Sequence, residues 1–289
     1  MVLYSQVDVF ILGIPRSGTH AIANWLIPHY QGVVRYFNDF LFHEQMRPET
    51  KQIQGQFTEF YTNFKEKKIL LYSDSPSGKK YPPNWAIDNM KLSAKANLYG
   101  CQGITPEYTS EVFDIWHKLT YRRLTRNNGM EITERKIFIL LLRNPFNLIA
   151  SMRHKFITSG YEMIIRHQVI TTWIAYAKEY LGETSYLSKL GNVVILNYDF
   201  WFSDQQYREA ISAQLQQPFT DAGLQEVSNF FNGSSFDGVA FSDKAQEMKV
   251  LERWKSFQHD QEYISLLKND ELLALYKRIY GGTPFEIQM

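Results

Sequence analysis

The chain has 289 residues, of which 44% are apolar, and its 31 Lys+Arg and 30 Asp+Glu leave a formal net charge of +1. That balance excludes a non-specific nucleic-acid binder, whose affinity would need a basic surface. The single cysteine, Cys101, excludes an intrachain disulfide.

The N-terminal stretch "MVLYSQVDVFILG" carries neither a basic leader nor a small-residue cleavage site, and its apolar run is too short to span a bilayer. A cytoplasmic protein without stable membrane insertion is expected. Val7 to Leu12 reads as a buried strand, and "GTHAIANWLIPHY" as a helix ending near Pro28. Residues 33–44, "VVRYFNDFLFHE", are aromatic and partly extended, and 51–66 read as helical. "KKILLYSDSP" (67–76) and "KANLYGCQGI" (95–104) are expected as strands. Thr105-Pro106-Glu107 is a helix start, a cap-type residue followed by proline at the first helical position, and Asn128-Gly129 stops that helix.

"RKIFILLL" (135–142) holds six consecutive apolar residues, as suits a parallel strand covered on both faces. A helix is expected from Pro145, helical sequence over 161–180, a strand at "NVVILNY" (192–198), and mostly helix from 204 to 280. Strands alternating with helices predict an α/β fold, a parallel sheet with helices on both faces. No repeat or linker interrupts the pattern, so residues 1–289 are expected to form a single domain.

Two segments carry chemistry. In "GIPRSGTH" the spacing Gly13-x-x-x-x-Gly18 between a strand and a helix fits a loop whose backbone N–H groups and helix N-terminus favour an anion. The lysine and hydroxyl that follow the second glycine in nucleotide hydrolases, the hydroxyl ligating magnesium, are replaced by Thr19 and His20. The cation stands inside the loop instead, as Arg16, which would meet a phosphate without a metal. "LLLRNPFNLIASMRHK" (140–155) repeats the arrangement: Arg143 ends a buried strand, where open α/β sheets bind ligands, and Ser151 follows eight residues later, about two helical turns. Arg153 and Lys155 add positive charge. Two phosphate sites at the ends of two parallel strands predict a nucleotide with phosphates on opposite sides of its ribose.

"PRSGT" and "RNPFNLIAS" resemble the two signature motifs of sulfotransferases that use 3′-phosphoadenosine 5′-phosphosulfate, and "GIPRSGT" is closest in wording to tyrosylprotein and bacterial members. The resemblance implies a P-loop NTPase-like three-layer sandwich. It places Pro15, Arg16, Ser17, Gly18, Thr19 and His20 around the 5′-phosphosulfate, with His20 departing from the family's usual threonine, and Arg143 and Ser151 at the 3′-phosphate. "VVILNYDF" resembles the family's later strand ending in Tyr-Glu-Asp, which implies Tyr198 near the adenine, with Asp199 where the family often has glutamate. "KVLERWKSF" loosely resembles the Arg-Lys-Gly and Trp-Lys segment but lacks its glycines, so Lys249 and Arg253 receive no role.

The implied reaction moves the sulfuryl group to a hydroxyl or amine of a small molecule, glycan or lipid by in-line displacement, Arg16 and the loop amides stabilising the leaving oxygen. The base comes from one of two regions: "RYFNDFLFHEQ", offering Glu44 first, then His43 and Asp39, or "ILLYSDSP", offering Asp74. Tyr36, Phe37, Phe40, Tyr72 and Trp85 are candidates to line an acceptor pocket, and equally core residues. A divergent P-loop kinase and a non-catalytic nucleotide binder are the alternatives. A cysteine-phosphatase loop would need arginine six positions after Cys101, where Glu107 stands. The seven histidines show no metal-ligand spacing, so no metal is expected. Lys79-Lys80 after Ser77-Gly78 follows no complete Gly-x-x-x-x-Gly pattern and reads as a solvated turn.

Overall fold

The structure, a computed structural model, describes residues 5–30, 32–38, 56–62, 67–71, 94–102, 105–107, 109–110, 135–159, 166–227, 233–234, 236–282 and 284. Seven strands make one sheet: β1 (Ser5–Gly13), β2 (Gly32–Asn38), β3 (Gln56–Thr62), β4 (Lys67–Leu71), β5 (Ala94–Gln102), β6 (Arg135–Leu142) and β7 (Asn192–Asn197), in the order β4-β3-β2-β5-β1-β6-β7. The five strands β2-β5-β1-β6-β7 run parallel. β3 and β4 add an antiparallel extension on the β2 side.

The alternation within β1 and β6 explains the layers. Phe10, Leu12, Phe138, Leu140 and Leu142 face one side, packed with Phe146, Trp173, Tyr263 and Tyr276. Val9, Ile11, Ile137, Ile139 and Leu141 face the other, packed with Ile22, Trp25, Trp201 and Ile211. Because both faces are covered, these strands read as unbroken apolar runs. The first layer comprises α2 (Pro145–Ser159), α3 (Arg166–Tyr180), α6 (Gln261–Leu267) and α7 (Asp270–Tyr280). The second comprises α1 (Thr19–Leu26), α4 (Tyr198–Ser203) and α5 (Gln205–Gln214). The chain is a P-loop-like α/β sandwich of the predicted class.

Two expectations fail. Residues 56–62, expected within a helix, form β3, because "QFTEFYT" is rich in aromatic and β-branched residues and pairs antiparallel with β2 from Gly32↔Thr62 to Asn38↔Gln56. The described residues between α5 and α6, expected as mostly helix, form a run of turns with short 3-10 segments at Ala245–Glu247 and Arg253–Ser256. Asn, Ser and Asp in "NGSSFDG" and "FSDK" carry side chains whose hydrogen bonds to the backbone compete with helix, and glycine disfavours helix through its backbone freedom. Thr105 does start a helical turn, its carbonyl accepting the Thr109 N–H at 2.9 Å. The stop expected at Asn128-Gly129 lies outside the described residues.

β1 is the switch point of the sheet. The chain leaves it for β2 on one side, returns through β5, then crosses to β6 and β7 on the other. The crevice beyond the carboxyl ends of β1 and β6 is therefore the ligand-binding position of such a sheet.

Candidate functional site

The loop from Gly13 to Thr19 turns through two left-handed residues, Arg16 at φ 71° and Gly18 at φ 100°. Glycine accepts that conformation freely, while arginine holds it at a cost of roughly 1 kcal/mol. The Ser17 N–H donates to the Ile14 carbonyl at 2.9 Å, closing the turn. A Cβ on Gly13 would stand 2.7 Å from Ser17 Oγ and 2.8 Å from Thr19 Oγ1, so both hydroxyls fold back over the strand end. A Cβ on Gly18 would sit 2.2 Å from the Tyr198 ring. The Tyr198 ring therefore packs closely against the loop, and burial raises the pKa of its phenol.

Arg143 follows the last residue of β6 and is 3% exposed. Its Nη1 donates to the Arg16 carbonyl at 2.7 Å and its Nη2 to the Val250 carbonyl at 3.0 Å, while the guanidinium lies 4.8 Å from the Tyr198 ring centroid. The arginine thus pins the strained residue of the first loop. Its Nε, also buried, has no hydrogen-bond partner among the described residues. The backbone around it is fixed from two sides. Trp173 Nε1 donates to the Arg143 carbonyl at 2.8 Å, and the Asn144 N–H donates to Asp199 at 2.7 Å. Burial raises the Asp199 pKa, opposed by Arg143, by that N–H and by the Tyr280 hydroxyl. Asn144 then caps α2 through the Phe146 N–H at 2.9 Å, with Pro145 at its first position.

On α2, Ser151 is fully buried and donates to the Asn147 carbonyl at 2.8 Å. It also accepts from Nη1 of Arg253 at 3.1 Å. Arg253, 9% exposed, is the residue that sequence reasoning left without a role. Its second nitrogen donates to Ser234 Oγ at 2.7 Å and to Asp237 Oδ2 at 3.2 Å, and Phe236 lies under its guanidinium, with the ring centroid 4.8 Å away. Burial, and next the like charge of Arg143, lower its pKa to about 10. His154 stacks on the same Phe236 ring at 4.1 Å, and burial lowers its pKa, with Arg253 adding to the effect.

The fold thus brings together Ser17, Thr19, Tyr198, Arg143, Ser151 and Arg253 at the carboxyl ends of β1 and β6. Pro15, Arg16 and His20 are half-buried in the same loop and its helix start, and the His20 ring meets Tyr36 edge-on at 6.2 Å. Tyr36 itself is buried in the core. Lys249 is exposed. Arg153 is paired with Asp260 at 3.1 Å and Glu262 at 2.6 Å. Among the described residues no cluster of His, Cys, Asp and Glu could hold a metal ion, and no helix is long and apolar enough to cross a membrane. Asp39, His43, Glu44 and Asp74, together with Phe40, Tyr72 and Trp85, lie outside the described residues.

No family model matches the chain. No curated protein matches it. Solved structures do. The chain is similar to the sulfotransferase domain of the Synechococcus PCC 7002 olefin synthase at 14% identity and a TM-score of 0.43, over 90% of this chain and 97% of that one. It is similar to the sulfotransferase domain of the curacin biosynthetic pathway at 13% identity and a TM-score of 0.45, over 96% and 98%. A third likeness is to mouse sulfotransferase SULT7A1 complexed with PAP, at 13% identity and a TM-score of 0.42, over 95% and 85%.

Proposed function

We propose that the chain is a sulfotransferase that draws its sulfuryl group from 3′-phosphoadenosine 5′-phosphosulfate and delivers it to a hydroxyl or amine of a small molecule, glycan or lipid. One observation carries this reading: two buried guanidinium groups repel one another at the strand ends, Arg143 against the glycine loop and Arg253 on Ser151, with a buried Arg143 N–H still lacking a partner among the described residues. Two neighbouring cations in a poorly solvated space favour an anion of more than one charge. A ribose 3′-phosphate satisfies that demand, with Arg253 and the Arg143 Nε as its donors, joined by the Ser151 hydroxyl once it turns away from the Asn147 carbonyl.

The loop from Gly13 to Thr19 would hold the 5′ end. Its amide groups, the two hydroxyls and Arg16 supply donors and one positive charge, so the leaving phosphate oxygen is stabilised without a metal. The donor nucleotide supplies an activated sulfuryl group, which the acceptor oxygen or nitrogen attacks in line. Glu44 is proposed as the base that takes the acceptor's proton, with His43, Asp39 and Asp74 behind it.

Thermal unfolding with ligands tests the reading. Adenosine 3′,5′-bisphosphate without magnesium should stabilise the protein by about 2.7 kcal/mol at a hundredfold excess over Kd, while magnesium-ATP should do little. Stabilisation by magnesium-ATP alone would turn the assignment to a kinase. Glu44→Gln should abolish turnover and keep bisphosphate binding; full activity would return the role to another of the four.

A further inference from the structure

Arg253 is not waiting empty-handed for an anion. One oxygen of Asp237 already sits on its Nη2 at 3.2 Å, long for an ion pair of this kind, beside the Ser151 hydroxyl on Nη1. The carboxylate is presented by a closed turn. Ser234 and Gly238 exchange both backbone hydrogen bonds at 2.9 Å each, and Ser234 Oγ stands 2.9 Å from Asp237 Oδ2. The same hydroxyl receives the Phe236 and Asp237 N–H groups at 3.3 Å. A carboxylate and two hydroxyls around one guanidinium imitate the oxygens of a phosphate, and the serine and arginine they engage are the ones assigned above to the 3′-phosphate. Asp237 remains 24% exposed, whereas Arg253 is 9% exposed. The pair is thus single-oxygen, long and open to water on the acid's side, which makes it exchangeable.

We propose that Asp237 is a resident competitor for the 3′-phosphate subsite. Its carboxylate holds Arg253 in place while the site is free, the nucleotide's 3′-phosphate displaces it, and the Ser234–Gly238 turn moves off with it. The proposal rests on the sulfotransferase reading of the site. It has two consequences. A nucleotide without a 3′-phosphate cannot displace the acid, so the competitor sharpens selection for the bisphosphate form. The spent nucleotide keeps its 3′-phosphate after sulfuryl transfer, so the returning carboxylate hastens product release.

The test is calorimetric titration of wild type and Asp237→Asn with adenosine 3′,5′-bisphosphate and with adenosine 5′-monophosphate, in the absence of magnesium. The variant should bind the bisphosphate about two- to fivefold more tightly, as expected for losing one partly solvated ion pair, with affinity for the monophosphate unchanged. Wild type binding the bisphosphate while the variant binds it equally or more weakly would make Asp237 a structural partner of Arg253 and overturn the proposal, leaving the sulfotransferase reading intact. Wild type that ignores the bisphosphate would end both. Should the variant not fold, hydrogen exchange on wild type decides: saturation with the bisphosphate should speed exchange at the Phe236, Asp237 and Gly238 amides. Unchanged or slower exchange would refute the displacement.

Discussion

Among the described residues, buried arginine stands in two regions, and they are built differently. Behind α1, Arg208 gives Nε and Nη2 to the two oxygens of Asp221 at 2.9 Å each and Nη1 to the Trp201 carbonyl at 2.8 Å. The same carboxylate accepts Trp25 Nε1 at 3.1 Å. One cation meets one anion, in the two-pronged geometry that suits them. At the strand ends, Arg143 and Arg253 repel one another, Arg143 leans on backbone carbonyls, and Arg253 has two hydroxyls and a single loose carboxylate oxygen. A saturated buried arginine fastens a fold, whereas one left short of negative charge fits a site for an anion. Substitutions in the two regions should therefore separate stability from binding.

The largest effect is expected behind α1. Arg208→Met keeps the bulk but strands the Asp221 carboxylate and the Trp201 carbonyl, and breaking such a pair should cost about 3 kcal/mol or more. Urea unfolding should show the lower midpoint. Protein that still folds should bind adenosine 3′,5′-bisphosphate as wild type does; a stability change under 1 kcal/mol would dissolve the contrast between the regions.

His29 belongs to the same saturated region and makes it sensitive to acid. Its Nδ1 lies 2.9 Å from the Trp25 carbonyl, which can only accept, so Nδ1 carries the proton of the neutral ring. That leaves Nε2 to accept from Ser212 Oγ, also 2.9 Å away. Burial lowers the His29 pKa from 6.5 to about 4, partly offset by the hydrogen bond to Trp25 and by Asp221. Between these values the unfolded chain binds a proton that the folded one refuses. Stability is thus complete above pH 6.5 and falls as the pH drops toward 4, by roughly 3 kcal/mol in all, with no further loss from this group below. His29→Gln should flatten that slope in pH-dependent urea titrations. An unchanged slope would assign the acid sensitivity elsewhere.

What the sequence revealed follows from where the information lay. β1, β6 and β7 were legible because strands covered on both faces carry unbroken apolar runs. β3 was not: its seven residues sit in a window flanked by "KQIQ" and "KEKK", whose helix formers outweigh the aromatic and β-branched core of the strand. Within the site, the first loop, Arg143 and Ser151 were readable because each phosphate motif is local to one strand and one helix. Arg253 was not, since it meets Ser151 across 102 residues of sequence and arrives on a stretch of turns without periodicity. Only the tryptophan and lysine after it hinted at a motif, and the missing glycines weakened that hint. Asp237 had no local signal at all: its partner Arg253 lies 16 residues on, in a segment read as helix.

The smallest effect on stability, and the sharpest on binding, is expected at Arg143. A lysine there keeps the charge but replaces a planar fork by a single ammonium, which cannot reach both the Arg16 and Val250 carbonyls and has no counterpart to Nε. Losing one such charge-assisted hydrogen bond should cost about 1.5 kcal/mol, half of the Arg208→Met effect. Arg16 is held at φ 71° by the bond from Arg143, so the first loop should loosen with it. Arg143→Lys should consequently lose most of the preference for adenosine 3′,5′-bisphosphate over adenosine 5′-monophosphate, by about tenfold or more, since one charge-assisted donor is worth about 1.5–3 kcal/mol. Titration of both nucleotides, set beside urea unfolding, reads the two quantities separately. If Arg143→Lys destabilised the fold as much as Arg208→Met yet still discriminated between the nucleotides, Arg143 would belong with Arg208, a fastener whose unpartnered nitrogen has no ligand to meet.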